Sequence, residues 1–134
     1  MFDVTSGGAG DDDVYASGEK YVFYAFRSIK GYSKIGSYTG NGSSNGTFVY
    51  TGFRPAWLLI KVASSDGKNW HIYDNKRLGY NVDNNMSRAN LNSADQTDDD
   101  IDLLANGFKI RTTSTEINHS HTYCSMRKDP CYWQ

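Results

Sequence analysis

Apolar residues along this chain fall into short clusters and alternating runs separated by turn-forming residues, a pattern that predicts strands. Lys20-Tyr-Val-Phe-Tyr-Ala-Phe26 is aromatic and β-branched and predicts a strand covered on both faces. Gly31, Gly36 and Gly40 divide the next stretch into short pieces carrying Tyr32, Ile35 and Tyr38. Asn41-Gly42 and Asn45-Gly46 then mark tight turns, because Asn and Gly tolerate positive φ. Thr47-Phe-Val-Tyr50 predicts a short strand, and Pro55, with no N–H to donate, breaks the ladder after it. Ala56-Trp-Leu-Leu-Ile-Lys-Val-Ala63 is the most hydrophobic segment and predicts a central strand. Asn69-Trp-His-Ile-Tyr-Asp74 is expected to pair with it across Ser64 to Lys68. The polar stretch from Asn75 to Asp100, with Leu78, Tyr80, Val82, Met86 and Leu91 as isolated anchors, predicts a long loop excursion with a helical turn around Ser87 to Leu91. Ile101-Asp-Leu-Leu104 and Phe108-Lys-Ile-Arg-Thr112 flank the tight turn Ala105-Asn106-Gly107, and the second alternates as a half-buried strand does. Thr122-Tyr123 starts a last strand, and Met126 to Gln134 has no clean period. The expected fold is all-β: an antiparallel β-sandwich-like domain of six to eight strands with one long polar loop excursion, over residues 19–134. Residues 1–18, with Gly7, Gly8, Gly10 and Asp11-Asp12-Asp13, hold almost nothing to bury and are expected as a flexible arm, or one ordered only against a neighbour.

The 134 residues suffice for one core, which buries roughly two thirds of the surface of the unfolded chain. Aromatic residues make up 14%, ten of them Tyr, which favours sheet over helix. A net charge of −1 supplies no basic field for a nucleic-acid backbone, and no apolar run reaches the ~20 residues that span a bilayer. Nucleic acid and membrane are therefore not expected as partners. Met1-Phe2-Asp3 opens without the basic and apolar regions of an export signal, so the expected place of synthesis is a cytoplasm. There Cys124 and Cys131 would be two thiols, with a local disulfide as the alternative.

Candidate chemistry is sparse, and neither catalytic residues nor a cofactor is expected. His71 lies in a strand between Trp70 and Ile72. His119, His121 and Cys124 would need a fourth ligand to hold zinc. Asp95, Asp98, Asp99, Asp100 and Asp102 lack the glycine and spaced acceptors of a calcium loop and read as a solvated surface. Gly40-Asn-Gly42 lacks the Lys-Ser/Thr and the helix of a phosphate loop. Triplets of the Asn-x-Ser/Thr type at Asn41, Asn45, Asn85 and Asn118 match a glycosylation pattern by spacing alone. Most tyrosines are expected in the core. A ring face and a hydroxyl together suit a sugar, so the candidate contact surface comprises Tyr38, Tyr80 and Trp133 with Asn84, Asn85 and Asp95 beside them.

Tyr21-Val-Phe-Tyr-Ala-Phe26, Gly31-Tyr-Ser-Lys-Ile-Gly-Ser-Tyr-Thr-Gly-Asn-Gly42, Phe48-Val-Tyr-Thr-Gly-Phe-Arg-Pro-Ala56, Trp70-His-Ile-Tyr-Asp74 and Leu104-Ala-Asn-Gly-Phe-Lys-Ile-Arg111 together carry a likeness. Over residues 19–123 the chain resembles an uncharacterised domain recurrent in tail-fibre-like and other virion proteins of bacteriophages and prophages. The resemblance implies a virion structural protein made in the host cytoplasm. Its role would be a tail-fibre, spike or appendage domain for assembly, with attachment to a host surface as a further role. The implied partners are copies of itself, with a trimer favoured, other virion proteins, and a host-surface glycan. A carbohydrate-binding, lectin-like module and a capsid-decorating protein are the alternatives. Similar domains close with a strand of the type Tyr-Ile-Tyr-x-Ala-Phe-Ala, whereas here Thr122-Tyr123 runs into Cys124-Ser-Met-Arg-Lys-Asp-Pro130. The expectation is either a different packing of the C-terminus or a sheet completed by a partner chain.

Overall fold

A computed structural model describes residues 20, 22, 24–77, 84–98 and 100–119, with Asn84 and residues 122–125 described by their backbone alone. Nine strands form among these residues: β1 Gly36–Thr39, β2 Phe48–Tyr50, β3 Trp57–Val62, β4 Trp70–Asp74, β5 Asn84–Arg88, β6 Gln96–Asp98, β7 Ile101–Leu104, β8 Gly107–Ile110 and β9 Thr122–Ser125. They make a six-stranded sheet in the order β1-β9-β3-β4-β5-β6 and a three-stranded sheet in the order β2-β8-β7. Every pairing is antiparallel. The fold is an all-β, sandwich-like domain, with more strands than the six to eight expected.

The core lies where the two sheets meet. In β3 the sequence is apolar at nearly every position, yet burial alternates, so Leu58, Ile60 and Val62 point inward while Trp57, Leu59 and Lys61 do not. Register carries that face across the sheet: Leu58 opposes Tyr73, Ile60 opposes His71, and Tyr73 opposes Met86. The second sheet answers with Ile101 opposite Ile110 and Leu103 opposite Phe108, all four buried. The Tyr38 ring meets the Phe108 ring edge-on at 5.9 Å between centroids, tying sheet to sheet, and the Tyr73 hydroxyl donates to Asp100 Oδ2 at 3.0 Å, tying β4 to the link between β6 and β7. Gly107 sits where a Cβ would come within 2.2 Å of the Val49 carbonyl oxygen, which leaves no room for a side chain between β8 and β2.

The hairpins β3–β4 and β7–β8 fall where alternation and turn residues place them, and β2 and β9 occupy the expected short segments. Three expectations change. Residues 22 and 24–28 form no strand, and Val22, Tyr24 and Phe26 are 78%, 82% and 57% exposed rather than covered. The polar excursion contributes two strands, β5 and β6, because β4 offers a free edge whose ladder hydrogen bonds do not depend on apolar side chains. Ser87 and Arg88 therefore belong to β5 instead of a helical turn, and the chain reverses after them at Ala89-Asn90. The arm 1–18 lies outside the described residues. Among the described residues no helix is long and apolar enough to cross a membrane.

Candidate functional site

The outward residues of three neighbouring segments converge on one face. In β2 the half-buried Val49 packs against the core and turns its neighbours Phe48 and Tyr50 outward, where both are exposed. Trp57, the first residue of β3, is exposed by the same alternation. Before β1 the backbone turns through a bridge between Ile29 and Ser33, with Gly31 at φ +74°, and presents Tyr32 to solvent. A cavity of about 440 Å³ opens between these segments, lined by Phe26, Tyr32, Ile35, Tyr50, Phe53 and Trp57, with Leu58 and Phe108 also on its walls. Lys34 is the single ionisable side chain of acidic or basic type along it among the described residues. Such a surface holds a partner by ring stacking and apolar burial, with little directional chemistry.

Of the residues expected to form a contact surface, Tyr38 lies on β1 at one edge of the six-stranded sheet, and Asn84, Asn85 and Asp95 lie on or beside β5 and β6 at the other. Tyr38 is only 7% exposed, and its hydroxyl donates to the Ile117 carbonyl at 2.8 Å, so it is a core residue and not part of a platform. β1 has one inward position in its burial pattern, and Tyr38 fills it. Asn85 is half-buried in β5, where its Oδ1 has no hydrogen-bond partner among the described residues. Asn84 holds a ladder position opposite Asp98. Asp95 is exposed and paired with the guanidinium of Arg77, which also bonds Asp74 at 2.7 Å. Tyr80 and Trp133 lie outside the described residues. The aromatic residues that do gather, Tyr32, Tyr50 and Trp57, were legible only as strand or turn residues, since an apolar run does not say which of its faces stays open.

The ionisable groups are structural in their surroundings. His71, 2% exposed, faces the carboxylate of Glu116, with Nε2 3.2 Å from Oε2. Burial lowers its pKa against the opposing pull of Glu116, so the ring is neutral with its proton on Nε2. Its Nδ1 is then a bare lone pair with no partner among the described residues. Burial also pushes Glu116 upward, but hydrogen bonds from His71, from Lys68 at 3.2 Å and from the Asn69 N–H outweigh it, leaving the carboxyl below its usual range. Burial raises Asp100, and raises Tyr73 further with the Asp100 carboxylate beside it. The acidic cluster of the sequence is dispersed: Asp100 bonds Tyr73, Asp102 bonds Arg111, and Asp95 bonds Arg77. No three His, Cys, Asp or Glu side chains converge as metal ligands among the described residues. His121 and the side chain of Cys124 lie outside them.

The polar residue that sequence reasoning missed is Asn118. It is fully buried, accepts from the Asn41 N–H at 3.0 Å, and donates to the carbonyls of Ser43, at 2.6 Å, and Thr112. It clamps the loop after β1 to the segment after β8, and the triplet spacing that marked it carried no hint of that task.

Two antiparallel sheets around one core, with an aromatic cavity beside β1, β2 and β3, make the chain an all-β, sandwich-like domain. Over residues 2–127 it matches the model of a family described as "Domain of unknown function (DUF7483)", and it belongs to that family. No curated protein and no solved structure matches the chain.

Proposed function

We propose that this domain is a structural contact part of a larger particle, a bacteriophage tail-fibre, spike or appendage domain that binds its neighbours and contributes to host-surface attachment. The observation that carries the contact role is the aromatic cavity, whose rim exposes Phe26, Tyr32, Tyr50 and Trp57 together. Contiguous exposed aromatic surface of this kind is costly to leave in water and marks places where another molecule sits. The virion setting comes from the resemblance of residues 19–123. No reaction is assigned, because His71, Tyr73, Asp100 and Glu116, the ionisable groups that burial and pairing shift, do not line the cavity. Mass spectrometry of purified virions from the source that carries this sequence tests the setting. Peptides of the chain are expected in the particle fraction, and their confinement to the particle-free lysate would sink it.

Binding of a host-surface glycan is the second reading, favoured by the open rings of Tyr50 and Trp57 beside a concave site, since a ring face stacks on the apolar face of a sugar. A glycan screen showing saturable binding that Trp57→Ala abolishes would establish it over the assembly role.

A further inference from the structure

We infer that Asn41 is a site of spontaneous modification: in the folded chain the Gly42 nitrogen attacks its side-chain amide, which ends as isoaspartate or aspartate.

The sequence holds three Asn-Gly pairs, Asn41-Gly42, Asn45-Gly46 and Asn106-Gly107. In the reaction a bond forms from the glycine nitrogen to the asparagine Cγ, and the bond from Cγ to Nδ2 breaks. The glycine N–H proton leaves with Nδ2 as ammonia. Water then opens the cyclic imide, at Cγ to give aspartate or at the backbone carbonyl to give isoaspartate, whose main chain runs through Cγ. Glycine hinders the attack least, because it has no Cβ, so the local geometry decides among the three pairs.

The fold ties down two of them. The Gly46 N–H donates to the Ile110 carbonyl at 3.1 Å, and Gly46 is buried, with Ile110 Cβ 2.7 Å and Asn118 Nδ2 2.9 Å from where a Cβ would stand. Gly107 is buried at the start of β8, opposite Leu104 on one side and Tyr50 on the other. The Asn106 carbonyl beside it accepts from the Thr51 and Gly52 N–H groups at 3.0 and 3.1 Å. These contacts must break before either glycine nitrogen turns toward its asparagine.

Asn41 and Gly42 are both exposed, and among the described residues the Gly42 N–H donates no hydrogen bond. The nearest described atom to a Cβ at Gly42 would be the Asn118 carbonyl oxygen, 3.9 Å away. Asn41 Oδ1 accepts from the Ser43 N–H at 3.0 Å, which folds the side chain forward over Gly42. The same N–H stabilises the negative charge that develops on Oδ1 as the nitrogen adds to Cγ.

The product changes the loop after β1. The Asn41 N–H donates to Asn118 Oδ1, and the Ser43 carbonyl accepts from Asn118 Nδ2, so the rebuilt link lies between two points held by one buried side chain. Isoaspartate lengthens that stretch of main chain by a methylene. It also removes the Nδ2 donor that reaches the Asn45 carbonyl at 3.2 Å and leaves a carboxylate nearby. Modification therefore weakens the Asn118 clamp.

Prolonged incubation of the purified full chain in mildly alkaline buffer, followed by peptide mapping, tests the assignment against a parallel sample in concentrated urea. In the folded chain Asn41 is expected to convert about tenfold faster than Asn45 or Asn106, whereas in urea all three convert at similar rates. Asn45 or Asn106 reacting as fast as Asn41 in the folded chain, or Asn41 left intact there, overturns the inference. Asn41→Ser keeps an acceptor for the Ser43 N–H but carries no amide, so it is expected to stop ammonia release from the folded chain. Release at the wild-type rate from that variant overturns the inference as well. The converted fraction, separated by its added negative charge, is expected to unfold at a lower urea midpoint than the intact chain. An unchanged midpoint overturns the link to the Asn118 clamp.

Discussion

The Asn118 side chain ties three segments of the chain together. Its three hydrogen bonds join loops 77 and 75 residues away in sequence, at Asn41 and Ser43, to Thr112, six residues before it. Asn118→Ala empties a fully buried site and leaves one backbone N–H and two carbonyls, each partly buried, without their partner. The expected loss is about 3 kcal/mol, read from the midpoint of urea denaturation. Asn118→Asp keeps the shape and the acceptor but loses both donors and introduces a charge, so it should be at least as damaging. A loss below about 0.5 kcal/mol for either variant would show that water replaces the amide. Nothing in the local sequence distinguishes this Asn from its neighbours in polar turns. Its role depends on which loops the fold brings to it.

At the scale of the element, β4 shows how a strand imports a titrating group into the core. Alternation turns His71 inward with Tyr73, and Glu116 arrives from the turn after β8 to meet it. The pKa of His71 is lowered from 6.5, so its contribution to stability is present above that pH and is lost as pH falls below it. That of Glu116 is lowered from 4.5, and its contribution is lost in turn as pH falls below that value. Acidification is therefore expected to weaken the domain in two successive windows. Glu116→Gln removes the group that supports the protonated imidazole, which steepens the first loss and flattens the second. Denaturation midpoints from pH 7.5 to 3.5 check this, and equal slopes in both proteins below pH 6.5 would refute the coupling. The strand itself was legible because Trp70-His-Ile-Tyr-Asp74 alternates and a turn precedes it. The partner of His71 was not, since Glu116 lies 45 residues away.

For the whole molecule, one core joins both sheets, and Phe108 is one of the residues through which they touch. It opposes Leu103 in its own sheet and meets Tyr38 of the other. Phe108→Ala is expected to cost about 4 kcal/mol and to move the near- and far-ultraviolet transitions together, as a single cooperative unit requires. Separate transitions would mean that each sheet folds by itself. What could be read from the chain alone was local: period-two patterns at β3, β4, β7 and β8, closed by turn residues, because neighbouring strands of a hairpin need only each other and a short loop. The packing decided the rest. Polar β5 and β6 became strands because an edge was available to them, Tyr38 went inside because its strand turned that face to Phe108, and residues 22 and 24–28 pair with no strand among the described residues. A strand is completed by its partner, and alternation names two faces without saying which neighbour covers either.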